Sequence, residues 1–154
     1  MKGALFIFAL LAAISPARMW EMADSLYSED RCAEAVEILG DAIPQIRASA
    51  DSVLLAESLS TLASSYFRLG AYNLAVKAQK EGYEIDLALG DDSAVSSDLN
   101  NLAAMCISAG EYGQAQAFIL EGIALEERLG RPENLAGRYG MARGAFGEGG
   151  KSVF

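Results

Sequence analysis

Residues Leu59–Gly90 read LSTLASSYFRLGAYNLAVKAQKEGYEIDLALG, and residues Leu99–Gly130 read LNNLAAMCISAGEYGQAQAFILEGIALEERLG. At an offset of 40 residues, Leu59, Leu62, Ala63, Tyr66, Gly70, Tyr72, Ala75 and Gly82 fall on Leu99, Leu102, Ala103, Cys106, Gly110, Tyr112, Ala115 and Gly122. Leu59, Leu62, Ala63 and Tyr66 are spaced to lie on one face of a helix. Gly70 follows where that helix must stop and the backbone needs a left-handed residue. A second apolar helical run then leads to Gly90.

The same punctuation runs outward along the chain. Glycine falls at positions 70, 90, 110, 130 and 150, each after an apolar run, which predicts helices of about 15 to 18 residues joined by very short turns. Stepping back by one repeat gives Met19, Met22, Ala23, Leu26, Asp30, Cys32, Ala35 and Ala42, a weaker first copy. Ala63 and Ala75 are small where two antiparallel helices must come close. Gly82 and Gly122 sit inside helices at a cost of about 1 kcal/mol each against alanine, so they are expected to pack closely against the neighbouring repeat. A single helix pair cannot bury its apolar face, so the pairs must stack.

The pattern Leu-x-x-Leu-Ala-x-x-Tyr followed by Gly-x-Tyr-x-x-Ala resembles the tetratricopeptide repeat family. The 40-residue length and LNNLA at Leu99–Ala103 resemble its longer, kinesin-light-chain type. The resemblance implies an all-α fold, a right-handed superhelix of antiparallel helix hairpins. It would hold about three repeats (18–50, 51–90 and 91–130) and one unpaired terminal helix, a partial repeat at 131–147, before a frayed tail at 148–154. The first helix of each pair would line a concave groove that binds protein or peptide.

The residues one step round from the packing face are then the candidate groove: Trp20, Asp24 and Tyr27, then Ser60, Ser64 and Phe67, then Asn100, Ala104 and Ile107, with Asn101 adjacent. Asparagine amides can pair with the backbone of an extended peptide, and aromatic rings offer apolar pockets. The Lys/Asn arrangement with which some family members clamp a C-terminal carboxylate is absent, and Ser60 and Ser64 stand in its place in repeat two.

Other chemistry is weaker. The chain has no histidine, which removes Ser-His and Cys-His catalysis and the common zinc sites; no metal, cofactor or catalytic group is expected. Asp91 and Asp92 follow Gly90, and Pro132 and Glu133 follow Gly130, positions where acids and proline favour helix starts. Cys32 opens the second helix of repeat one and Cys106 lies on the packing face of repeat three, too far apart for a disulfide; two free thiols are expected, Cys106 buried. In the last helix, from about Pro132 to Phe146, Tyr139 and Phe146 are expected at packing positions, with Arg143 in place of a small residue. Gly137, Gly140, Gly144 and Gly147 fall on its groove face and cost about 3 to 4 kcal/mol together. The stretch AFGEGGKS at Ala145–Ser152 is close to a phosphate-binding loop, but a helix precedes it instead of a strand.

The N-terminal stretch MKGALFIFALLAAISPA, Met1–Ala17, resembles a secretory signal cut after Ala17; its apolar run is too short to span a membrane. Removing it leaves 21 acids against 11 bases, a balance that disfavours nucleic acid and anionic membranes as partners. The expectation is an exported (periplasmic or secreted) non-catalytic scaffold for an unidentified protein or peptide, able to oligomerise through its unpaired last helix. The alternatives are a truncated sensor or ectodomain part of a membrane-bound bacterial signalling protein and, remotely, a nucleotide-binding enzyme.

Overall fold

Among the described residues, six helices end at a residue of positive φ. Gly70, Gly90, Gly110 and Gly130 all have positive φ, between 66° and 78°, the left-handed geometry in which glycine carries no steric penalty. The residue after each glycine donates its N–H to a carbonyl one helical turn back, Ala71 to Tyr66, Asp91 to Asp86, Glu111 to Cys106 and Arg131 to Glu126, closing the helix end. In the first repeat Asp30 and Ala50 hold these positions at φ 63° and 58°, so the weak copy keeps the geometry without the glycine.

The computed structural model describes residues 14–146. The described residues form seven helices and no strand: α1 (Pro16–Ser28), α2 (Cys32–Ser49), α3 (Ser52–Arg68), α4 (Tyr72–Leu89), α5 (Asp92–Ala109), α6 (Tyr112–Leu129) and α7 (Pro132–Phe146). Consecutive helices pack on one another in an α–α solenoid, with α1 also touching α3. The pairs α1/α2, α3/α4 and α5/α6 are the three repeats, and α7 opens a fourth. Among the described residues no helix is long and apolar enough to cross a membrane.

Side-chain oxygens fix several helix starts. Ser15 caps α1 through the Arg18 amide, Asp51 caps α3 through Leu54, and Asp91 caps α5 by accepting from Ser93 and Ala94 at 3.0 Å. These oxygens satisfy N–H groups that have no partner inside the helix. Ser15–Ala17 is thus the cap and first turn of α1.

Alanine sets the closeness of each hairpin. Ala23, Ala63 and Ala103 on the first helices and Ala35, Ala75 and Ala115 on the second are all at most 1% exposed. Around them lie Leu39, Leu59, Leu99, Leu102 and Ile119, also buried. Cys32 and Cys106 are free and buried.

Two expectations need correction. A Cβ on Gly82 would lie 3.5 Å from the Ala56 carbonyl oxygen and 3.7 Å from Leu59 Cβ. Both are on α3, so Gly82 serves its own hairpin, whereas Gly122 does face the next repeat, at Arg138 of α7. Tyr139 is not at a packing position: it is 42% exposed, and α7 buries Arg138 and Ala142. Its counterpart Leu99 is covered by Leu125 of the following helix α6, and no helix follows α7 among the described residues. Gly147 and the rest of the AFGEGGKS stretch beyond Phe146 lie outside the described residues, as do the 148–154 tail and nearly all of the apolar N-terminal run.

Candidate binding groove

The first helices α1, α3 and α5 share one face, and a cleft of about 340 Å³ opens along it. Trp20 of α1 stands at one end; Glu57, Ser60 and Thr61 of α3 and Ser97, Asp98 and Asn101 of α5 form the walls. Asp86, from the last turn of α4, and Asp91, the α5 cap, close the base. Four carboxyl groups therefore line the cleft, and no lysine or arginine does.

Those carboxyls perturb one another. Asp98 is only 5% exposed. Its Oδ1 accepts from Gln79 Nε2 at 2.6 Å, while its Oδ2 is buried with no hydrogen-bond partner. Burial, and then the charge and hydrogen-bonding reach of Asp86, push the Asp98 carboxyl up to about 7. Burial also pushes Asp86 up. Glu57 is raised by its own burial and by the charges of Asp51, Asp86 and Asp24. In low-dielectric surroundings an acid without a cation beside it gives up its proton reluctantly.

One repeat further on, a second cleft of about 370 Å³ lies between α5 and α7, lined by Ser96, Asn100, Glu126, Asn134, Gly137 and Arg138 among others. Its two buried charges, Glu126 and Arg138, are paired, and Glu133 stands exposed at its edge. Arg138 Nη2 donates to the Ser96 carbonyl and hydroxyl, both at 2.9 Å, and to Glu126 Oε1 at 3.2 Å. Glu126 also accepts from Ser96 Oγ, and from Asn134 Nδ2 at 3.0 Å. Burial alone would raise the Glu126 carboxyl. The hydrogen bonds from Ser96, Asn134 and Arg138, with the guanidinium charge, outweigh burial and hold it below its ordinary value. Gly122 leaves the room: a Cβ there would lie 1.9 Å from Arg138 Nη1.

The two clefts are built at the same register. Asp86 and Glu126 are one repeat apart, and so are Asp98 and Arg138. The equivalent pair at the first junction is Ile46 and Ser58, both fully buried. The three junctions thus hold an apolar and a small residue, then two acids, then an acid and a base.

The sequence of residues 15–88, spanning Ser15 through nearly all of α4, matches the family model described as tetratricopeptide repeat. Those residues are tetratricopeptide repeats. The 40-residue register carries the architecture on through α5, α6 and α7. Among solved structures, the TPR domain of Arabidopsis FLU is similar at 17% identity and a TM-score of 0.65, over 71% of this chain and 92% of that one. Aspartyl phosphate phosphatase F from Bacillus subtilis is similar at 15% identity and a TM-score of 0.66, over 88% of this chain. This chain spans only 41% of the phosphatase's length. At such identities both likenesses show the fold alone. No curated protein matches the chain.

Within the tetratricopeptide array the expected groove residues separate into groups. Trp20, Ser60 and Asn101 meet in the first cleft. Asn100 lines the second. Asp24 is exposed on α1 and acts on the first cleft through its charge on Glu57. Ser64 and Ala104 are half-buried on the same face. Tyr27 lies beneath the Arg68 guanidinium, 4.0 Å from its ring centre, with Arg68 Nη1 donating to the Tyr27 carbonyl at 2.9 Å. Phe67 packs against Tyr72, ring centres 5.5 Å apart, and with Ile107 borders the central core. The residues that sequence reasoning missed are Asp86, Asp98, Glu126 and Arg138. The signal that could have found them is the repeat alignment extended one residue ahead of Leu59 and Leu99, where serine, aspartate and arginine alternate at one structural position.

Proposed function

We propose that this tetratricopeptide array is a non-catalytic scaffold that holds a segment of a partner protein along the face of α1, α3 and α5. The observation that carries this reading is the first cleft. It places an aromatic ring (Trp20), a hydroxyl (Ser60), an amide (Asn101) and ionisable acids along one face. An extended chain can use such a row through its backbone and alternate side chains. The net charge of −9 argues for a basic partner segment and against nucleic acid.

The test fills the cleft and leaves the hairpin core alone. Ser60→Trp with Asn101→Trp is expected to abolish recovery of cross-linked partner protein while far-ultraviolet circular dichroism stays helical. Equal recovery with parent and variant counts against the groove. Export belongs to the same proposal and rests on the apolar Met1–Ala17 stretch. N-terminal sequencing of the protein from envelope and cytosolic fractions checks it; full-length chain in the cytosol alone removes it.

A further inference from the structure

Resting on that groove reading, we propose that the cleft between α3 and α5 receives an arginine side chain from an extended segment of the partner polypeptide, with Asp98 and Asp86 taking its guanidinium. Three observations carry this. First, Asp98 is 5% exposed, lines the cleft, and has a buried Oδ2 without a hydrogen-bond partner; a buried polar atom left in that state costs about 1 to 3 kcal/mol until a donor arrives. Second, the chain displays the missing donor one repeat later. There Arg138 occupies the position of Asp98, and its guanidinium satisfies Glu126, the equivalent of Asp86, together with Ser96. Third, no basic side chain of the described residues lines the first cleft.

Guanidinium suits the site better than a metal ion. Among the described residues no group of three or more acid, cysteine or histidine side chains could hold a metal. A planar fork of five donors can serve two carboxylates at once. Ser60 and Asn101 at the rim can pair with the backbone on either side of the arginine, and Trp20 can cover its stem. Burial and the neighbouring Asp86 push the Asp98 carboxyl up to about 7, so a guanidinium that takes the ionised pair is expected to displace a proton near neutral pH. The groups facing Asp98 in this exchange are Gln79, Tyr83 and Asp86 of α4, Glu57 of α3 and Asp91 at the α5 cap.

The experiment titrates the full chain with an acetylated, amidated Ser-Ala-Ser-Arg-Ser-Ala-Ser peptide and follows Trp20, the one tryptophan of the sequence, together with calorimetry in two buffers of different ionisation enthalpy. The expected result is saturable binding with proton release. It should be roughly tenfold or more weaker when citrulline replaces arginine, and weakened about as much by Asp98→Asn or Asp86→Asn but not by Asp41→Asn, an exposed acid of α2 outside the cleft. Equal binding of the arginine and citrulline peptides overturns the inference, and if cleft-filling Ser60→Trp/Asn101→Trp still abolishes both, the groove reading stands without it. Absence of saturable arginine-peptide binding at millimolar concentration overturns it whether or not the groove captures a partner protein. So does binding that Asp98→Asn leaves intact. Quenching by calcium alone that Asp98→Asn removes makes the pair a metal site instead. Self-association abolished by Asp98→Asn places the cation on a second copy, and either result overturns the assignment.

Discussion

The junction between repeats two and three and the junction between three and four share a backbone design and differ in where their charge is balanced. At the later junction Glu126 and Arg138 neutralise each other within the chain, their side chains 0% and 6% exposed. At the earlier one Asp86 and Asp98 face each other with only Gln79 to offer a donor. A solenoid repeats its geometry, so a side chain swapped at one register changes the local chemistry without disturbing the stack. The later junction uses its ionic pair to dock α7; the earlier one leaves two acids on the groove.

The largest expected effect comes from breaking the balanced junction. Arg138→Met leaves Glu126 buried without its cation and should destabilise the fold by about 3 kcal/mol, read as a lower urea midpoint and faster amide exchange in α7. The double change Glu126→Leu with Arg138→Met removes both charges and should recover most of that loss. If the single and double variants are equally unstable, the pair is not what docks α7.

The paired glycines sharpen the contrast at a smaller scale. Gly122→Ala puts a methyl 1.9 Å from Arg138 Nη1 and 2.5 Å from Cζ, so the guanidinium must leave its partners. The gain in helix propensity of about 1 kcal/mol should not cover this, and a net loss of roughly 1 to 2 kcal/mol is expected. Gly82→Ala meets nothing nearer than 3.5 Å, an ordinary contact, and should be neutral or stabilising. Thermal midpoints of the two variants test this directly; matched losses would mean that the two junctions do not differ in this respect.

Much of this fold is legible in the amino-acid sequence. Gly70, Gly90, Gly110 and Gly130 mark the helix ends because a left-handed turn excludes most other residues, and Ala63 and Ala103 mark the close faces because only small side chains fit there. Trp20 and Ser60 can be grouped because one helix face repeats every 40 residues, but the next step of that series is Asn100, which lines the second cleft, while its neighbour Asn101 lines the first. The features that escape such a reading depend on neighbours that no single helix specifies. Tyr139 follows the periodicity of Leu99, but a residue is buried only if another helix covers it. Asp98 reads as one acid among 21, since its meaning comes from Asp86 at the end of a different helix.

The acidic pair should show in the pH dependence of stability. Asp98 ionises near 3.9 in an unfolded chain and is pushed up to about 7 in the fold. Between those values the folded chain keeps a proton that the unfolded chain has lost, so stability falls as pH rises from about 4 to about 7 and levels off above. Asp98→Asn keeps the acceptor for Gln79 and removes this slope. It should therefore exceed the parent by roughly 1 to 2 kcal/mol at pH 8, after allowing for solvent screening, and match it near pH 4. A constant difference across that range would place the strain elsewhere. Arginine-peptide affinity should run the other way and rise as pH passes through about 7, because only the ionised pair holds a cation.

The subtlest change converts one junction into the other. Asp98→Arg writes the residue of the later junction into the earlier one, where Asp86 stands in the place of Glu126. The new guanidinium gains an ion pair and loses the hydrogen bond from Gln79. Gly82, one repeat before Gly122, leaves similar room, since a Cβ on it would meet nothing nearer than 3.5 Å, but Gln79 then stays buried without its partner. These terms oppose one another, so stability at pH 8 should change by less than about 1 kcal/mol. Binding should respond far more than stability: a chain that carries its own cation at this register has no use for a second, and the arginine peptide should no longer bind. A variant that stays folded and still binds arginine peptides as the parent does would show that Asp98 and Asp86 are not where the cation goes.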